Sequence, residues 1–177
     1  MAAAYSFQPM TADDLPLMRS WLETPHVAQW WGEPDPELAY IRDMIEGRDT
    51  TRPFIFAVDG KAAGYIQFWF VGHHQNAVWI ADHPWLAELP ADAIGIDLSI
   101  GDPDMLNRGI GSGALRVFAE RLVAEGHRTI IIDPDPANHR AVRAYEKAGF
   151  RAIPHLLGKT GDTLIMQYEP TGTAARQ

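Results

Sequence analysis

Arg108-Gly109-Ile110-Gly111-Ser112-Gly113 stands between two segments of different period. Upstream, Ile94, Ile96, Leu98 and Ile100 alternate with Gly95, Asp97 and Ser99. That is a strand with one apolar face and one small, polar face around a single carboxylate. Downstream, Ala114, Leu115, Phe118 and Leu122 recur at helical spacing to about Glu125, and Gly126 is placed as a helix-closing glycine. Glycines between a strand and a helix let the backbone approach a ligand and turn its N–H groups outward. The positive helix end beyond them favours an anion. A phosphate-bearing cofactor is the natural guest, and a plain glycine-rich turn is the alternative. No Gly-Lys-Ser/Thr follows, so the run is not a P-loop.

Working outward, Thr129–Ile132 reads as a short apolar strand ending at Asp133. Asn138 caps a helix with Ala141, Val142, Tyr145 and Ala148 on one side, and Gly149 closes it. Strands over Phe150–Leu157 and Thr163–Tyr168 follow, joined through Gly158–Gly161. On the other side, Phe54–Val58, Asp59-Gly60 and Ala63–Val71 read as strand, tight turn and strand. Tyr5–Met10 is a first strand. Thr11 is an N-cap with Asp13 and Asp14 in the first turn, ahead of a helix with Leu15, Met18 and Leu22 inward. A second helix opens near Pro36, with Leu38, Ile41 and Ile45 inward. The stretch holding His26, Trp30, Trp31 and Gly32 reads as a loop. Gly72–Pro90 reads as a partly ordered loop or an extra strand. The order β-α-α-β-β-β-α-β-α-β-β predicts an α/β fold: a mixed sheet with helices on both faces. We expect one domain over 1–169 and a flexible tail over 170–177.

The chain has 177 residues, 46% hydrophobic and 21% charged, the mix of a soluble globule. Having no cysteine rules out disulfide scaffolds, thiolate metal sites and cysteine nucleophiles. Its seven histidines show no ligand spacing, so no metal is expected. A net charge of −8 gives no basic face for a nucleic-acid backbone. No apolar run approaches the roughly 20 residues of a membrane span, and the start lacks a signal-peptide pattern. The expectation is a cytoplasmic protein, monomer or homodimer, with neither nucleic-acid nor membrane partners. From Ala62 to Asn107 there is no Lys or Arg, while Asp82, Glu88, Asp92, Asp97, Asp102 and Asp104 fall there. Such a stretch is either a solvated acidic surface or a region that draws cations over roughly 8 Å at physiological salt.

About 30 residues after the glycine run stand Asn138, Ala141 and Tyr145-Glu146-Lys147-Ala148-Gly149-Phe150. The two motifs together resemble those of the GCN5-related N-acetyltransferase (GNAT) superfamily, and the element order is that family's order. The resemblance implies acetyl-CoA as cosubstrate, its pyrophosphate held by Arg108, Gly109, Ile110, Gly111, Ser112 and Gly113. It adds Ile100 and Asn138 as cofactor contacts and Tyr145 as cofactor contact and proton donor to the departing thiolate. A core aromatic role for Tyr145 is the alternative.

Gly95-Ile96-Asp97, Asp133-Pro134, Trp30-Trp31-Gly32 and Ala144–Phe150 resemble the aminoglycoside 6′-N-acetyltransferases more narrowly. This implies a cationic aminoglycoside acceptor, with Asp97 at the acceptor amine and Asp133, Asp135 and Trp31 around the sugar. Where some relatives carry Gln after that Asp, this chain has Leu98. By its residues alone, each of Asp97 and Asp133 is either a ligand carboxylate or an Asp bonded to backbone or Arg. The alternative enzyme is one of the same fold with another acceptor: a lysine N6-acyltransferase of siderophore assembly, with a similar Arg-Gly-x-Gly loop, or another small-molecule or peptide amine acetyltransferase. An acyl-CoA-sensing module is the non-catalytic alternative.

Overall fold

The computed structural model describes residues 3–170. Seven strands are hydrogen-bonded in the order β1-β2-β3-β4-β5-β7-β6. Two compact units form. One takes the described residues up to Trp69 together with Asp97–Ala114. The other takes Phe70–Ile96 and the described residues from Leu115 onward.

In the first unit, β1 (Tyr5–Pro9), β2 (Arg52–Val58) and β3 (Lys61–Phe70) pair antiparallel. Asp59 and Gly60 turn the β2–β3 hairpin, both with positive φ, as an Asp-Gly pair allows. Thr11 opens the first helical segment: its N–H and hydroxyl both donate to the Asp14 carboxylate, at 2.8 and 3.1 Å. A short 3₁₀ turn over Ala12–Asp14 leads into α1 (Leu15–Leu22). α2 (Pro25–Trp31) and α3 (Pro34–Ile45) follow. Met18, Leu22, Val27, Leu38, Ile41 and Tyr65 share one buried cluster, with Ile45 partly buried against it.

α2 corrects the expected loop over 26–32. Pro25 pre-sets the first helical turn and Gly32, at φ +113°, ends it. Only Val27 of the helix is buried, so no apolar period marks it in the sequence. His26 Nε2 bonds the Ile100 carbonyl at 2.8 Å, which ties α2 to the end of β4 (Ile94–Ile100).

Three glycines let other groups press on β4. A Cβ on Gly64 would lie 2.2 Å from the Ser99 carbonyl oxygen, and one on Gly101 would lie 2.1 Å from the Trp21 indole. A Cβ on Gly111 would lie 3.3 Å from Ile100 Cδ1.

β4 gives its first three residues to the second unit. There it runs parallel to β5 (Ile130–Ile132), with Ile94 opposite Ile130 and Gly95 opposite Ile131. α6 (Ile110–Ala124) is the crossover between them. β5 and β6 (Phe150–Ala152) each pair antiparallel with β7 (Met166–Tyr168). Leu115, Phe118 and Leu122 of α6 are buried, as are Ile130–Ile132, Phe150 and Tyr168.

The expected loop or strand over 72–90 is instead α4 (Val71–His74), α5 (Ala77–Asp82) and a 3₁₀ turn over Pro84–Glu88. Side chains build it. Asn76 accepts from the Val78 and Trp79 amides, and Gln75 Nε2 donates to the carbonyls of Leu86 and Leu89, each at 2.8 Å. The last two strands are shorter than expected, because Pro154 has no N–H to continue the ladder and a 3₁₀ turn over Pro154–Leu156 replaces it. Residues 171–177 of the expected tail lie outside the described residues.

The indole of Trp21 is buried, so it has little room to retreat from an added methyl. Gly101→Ala is expected to destabilise the protein by about 1–3 kcal/mol, the usual cost of overpacking. Denaturant unfolding monitored by Trp fluorescence measures it.

Candidate active site

The glycine run forms the entry to α6. Asn107 and Gly109 both have positive φ, +59° and +76°. A Cβ on Gly109 would meet nothing within 4 Å, so this glycine serves the turn and not the packing. The first intrahelical bond runs from Gly113 N–H to the Gly109 carbonyl at 3.0 Å. The amides of Ile110, Gly111 and Ser112 therefore belong to the first turn, whose donors have no acceptor inside a helix. Ser112 Oγ donates to the Gly109 carbonyl at 3.0 Å, and Arg108 is exposed beside the turn. These groups suit a pyrophosphate: several backbone donors, a positive helix end and a guanidinium.

Gly111 and Gly113 have a second task. Their missing side chains point at Ile100 and at the Tyr5 hydroxyl, 2.1 Å from a would-be Gly113 Cβ. Two glycines of the motif thus seat the helix on β4 and β1, and Ile100 is the residue against which Gly111 packs. Lys61 Nζ reaches Asp102 at 2.7 Å, and Asp102 also accepts from the Asp104 amide at 2.9 Å. These two bonds hold the Asp102 carboxyl below the ordinary range and brace the segment leading to the loop. Asp102 is therefore bonded within the protein and does not belong to a free acidic surface.

Asp97 is partly buried on β4, two residues beyond the last one that pairs with β5. Gln67 on β3 donates its Nε2 to Asp97 Oδ2 at 2.7 Å. The Tyr65 hydroxyl donates to the other end of that amide, Gln67 Oε1. Tyr65 is fully buried, and the Trp31 ring meets it edge-on with centroids 5.4 Å apart. Trp31 is the last residue of α2, so the helix delivers the predicted indole to the same cluster.

Glu37, in the first turn of α3, adds a second carboxyl. Burial, and then the charge of Asp97, raise its pKa above the ordinary range. Burial pushes the Tyr65 hydroxyl well above its usual pKa, and the charges of Asp97, Glu37 and Asp49 add to that. Tyr65 is a neutral donor at any working pH.

The first unit thus brings together Trp31, Asp97, Ile100 and the loop from Arg108 to Gly113. Asp133, Asp135, Asn138 and Tyr145 lie in the second unit. Asp133 is partly buried, just past the end of β5. Asp135 is exposed and makes a turn: its carboxylate accepts from the Ala137 amide at 2.8 Å, and its carbonyl from the Asn138 amide at 2.9 Å. Asn138 caps α7 (His139–Ala148), its Oδ1 accepting from the Ala141 amide at 3.2 Å. Tyr145 is buried on α7.

Gln67, Tyr65 and Glu37 were not anticipated from sequence. Gln67 left a signal, an amide inside the apolar and aromatic run Ala62–Phe70. Glu37 left none, since an acid in a first helical turn already suits the helix dipole.

Comparison with known proteins bears on the same features. Residues 10–156 match the acetyltransferase (GNAT) domain. The aminoglycoside N(6′)-acetyltransferase type 1 of Klebsiella pneumoniae is 32% identical over 148 residues, 80% of this chain and 71% of that one. A lysine N-acyltransferase MbtK of Mycobacterium sp. is 30% identical over 155 residues, 84% of this chain and 60% of its own length. Among solved structures, AAC(6′)-Ib in complex with paromomycin and acetyl-CoA superposes with a TM-score of 0.77. It is 27% identical, covering 98% of this chain and 99% of that one. A glycine-built helix entry after a carboxylate-bearing strand, within a domain match that spans most of the sequence, makes this chain a member of the GNAT acetyltransferase family.

Proposed function

We propose that the protein transfers the acetyl group of acetyl-CoA to the 6′-amine of an aminoglycoside, by direct attack in a ternary complex. What carries this reading is the Asp97 carboxyl on β4, held by Gln67, in the unit that also holds the anion-cradling loop. A polyamine acceptor brings countercharge to Asp97 and to Glu37, whose pKa is raised by burial and then by the charge of Asp97, while the anionic donor meets Arg108 and the helix end. The similarity to aminoglycoside N(6′)-acetyltransferases over most of the chain supports the same acceptor class. The similarity to a lysine N-acyltransferase makes lysine the control acceptor.

The chemistry follows from proton counting. The acceptor arrives as an ammonium, which has no lone pair. One proton must leave before or as the nitrogen attacks the thioester carbonyl; Asp97 orients the ammonium and takes that proton, directly or through one water. The N–C bond forms and the C–S bond breaks. The sulfur leaves as a thiolate and takes up a proton, for which Tyr145 is our candidate donor, recharged from solvent. The nitrogen loses its second proton on becoming an amide. The sum is an acetamide, a free thiol and one proton released. In this reading Asp133, Asp135 and Trp31 line the sugar and Asn138 contacts the cofactor arm. One domain over 1–169 carries the whole reaction, in the cytoplasm.

Two measurements test this reading. Asp97→Asn is expected to lose about 10²–10⁴-fold in turnover of a 6′-amino aminoglycoside at neutral pH, the usual worth of general-base help. Acetyl-CoA affinity stays unchanged, and the loss shrinks at high pH, where the amine arrives neutral. Near-normal turnover across pH would make Asp97 structural. Gly109→Ala forces a Cβ into a left-handed turn that costs roughly 1–2 kcal/mol, with no clash against the core. Thermal shift assays should show acetyl-CoA losing most of its stabilising effect on this variant. Full ligand stabilisation of Gly109→Ala would remove the loop from the cofactor site.

A further inference from the structure

Gln67 and Tyr65 stand two residues apart on β3 and so share one face of the strand. The other end of their hydrogen-bond chain is Asp97, on the neighbouring strand. A primary amide is ambivalent, since either end could face a polar neighbour. Asp97 removes that freedom. An ionised carboxylate only accepts hydrogen bonds, so Nε2 must turn toward it, as it does at 2.7 Å. Oε1 is then committed to Tyr65, which must donate. Tyr65 can always do so: it is fully buried, and burial together with the charges of Asp97, Glu37 and Asp49 holds its proton on. The hydroxyl also approaches the Met44 sulfur, a weak acceptor 3.8 Å away. The chain of bonds therefore has one sense, hydroxyl to amide oxygen and amide nitrogen to carboxylate, and each bond polarises the next.

We propose that Gln67 and Tyr65 are positioning residues for acetyl transfer: the Tyr65 hydroxyl fixes which end of the Gln67 amide meets Asp97, and the amide fixes the rotation of the carboxylate presented to the acceptor amine. The proposal rests on the acceptor-side role given to Asp97 above. In this role both act through Asp97 and need no contact with the reacting atoms. The anchor is rigid because Tyr65 belongs to the core cluster of α1, α2 and α3 and packs against Trp31. A carboxylate at the acceptor is thereby oriented from inside the core and not from a surface loop.

A double-mutant cycle tests this. Gln67→Leu is expected to lower kcat/KM for the acceptor by about ten- to hundredfold, the range for one hydrogen bond to a charged group, with the KM for acetyl-CoA unchanged. Tyr65→Phe is expected to cost a few-fold alone and nothing further in the Gln67→Leu background, because it acts only through the amide. Losses that multiply in the double variant, or full activity in both single variants, would overturn the proposal. Where Gln67→Leu does not fold, the side-chain amide protons of Gln67 give a second reading by NMR on isotopically labelled protein. They are expected to move toward solvent-like positions in both Tyr65→Phe and Asp97→Asn, and unchanged resonances in both contradict the relay. A wild-type protein that acetylates lysine and no aminoglycoside would remove the acceptor named above while leaving the cycle measurable on lysine.

Discussion

The end of β4 is packed so tightly within its unit that side chains around it are replaced by hydrogen. Gly64 yields to the Ser99 carbonyl, Gly101 to the indole of Trp21, and Gly111 to the tip of Ile100. His26 adds a hydrogen bond to the last carbonyl of the strand. These contacts hold a short piece of backbone, and two features of the proposed site hang from it. Asp97 projects from the strand itself. The loop that opens α6 begins a few residues later and is seated by Gly111 on the same strand. Packing density is what gives this unit a carboxylate and a set of backbone donors in a fixed relation.

That relation sorts charge. The chain as a whole is acidic, yet the donor in our reading is an anion. The fold meets this by making the loop positive through geometry more than through side chains: oriented amides, a helix end and one exposed arginine. Asp102, which could have opposed an anion there, is taken up by Lys61 and the Asp104 amide. Asp97 and Glu37 do the reverse on the acceptor side. Burial, and then the charge of Asp97, raise the pKa of Glu37, and in our reading a polycationic acceptor brings countercharge to both carboxyls.

How much of this was legible in the sequence follows from which forces were local. The strand–glycine–helix core was readable because alternation, helical period and a closing glycine all act within one segment. The helix α2 was not, since a single buried residue, Val27, leaves no period to see; its only marks were Pro25 and Gly32 at its two ends. The segment 71–88 was read wrongly for another reason. Its turns are held by Gln75 reaching Leu86 and Leu89, and propensity does not report bonds of that span. In the site, Asp97 and the loop were visible because their chemistry is unusual for their places. Gln67 and Tyr65 were not, because their importance lies in a bond between neighbouring strands. Two glycines taken from sequence as ligand-facing turned out to pack inward as well, which only the position of Ile100 and Tyr5 reveals.

In our reading this fold presents a 6′-amine, and no other group, to the thioester. Identifying the product addresses it most directly. Wild-type protein is incubated with acetyl-CoA and kanamycin, and the purified antibiotic is examined by two-dimensional NMR. The account predicts a single acetyl group, on the 6′ nitrogen. Acetylation at another nitrogen, or no acetylated product while lysine is consumed, would contradict it.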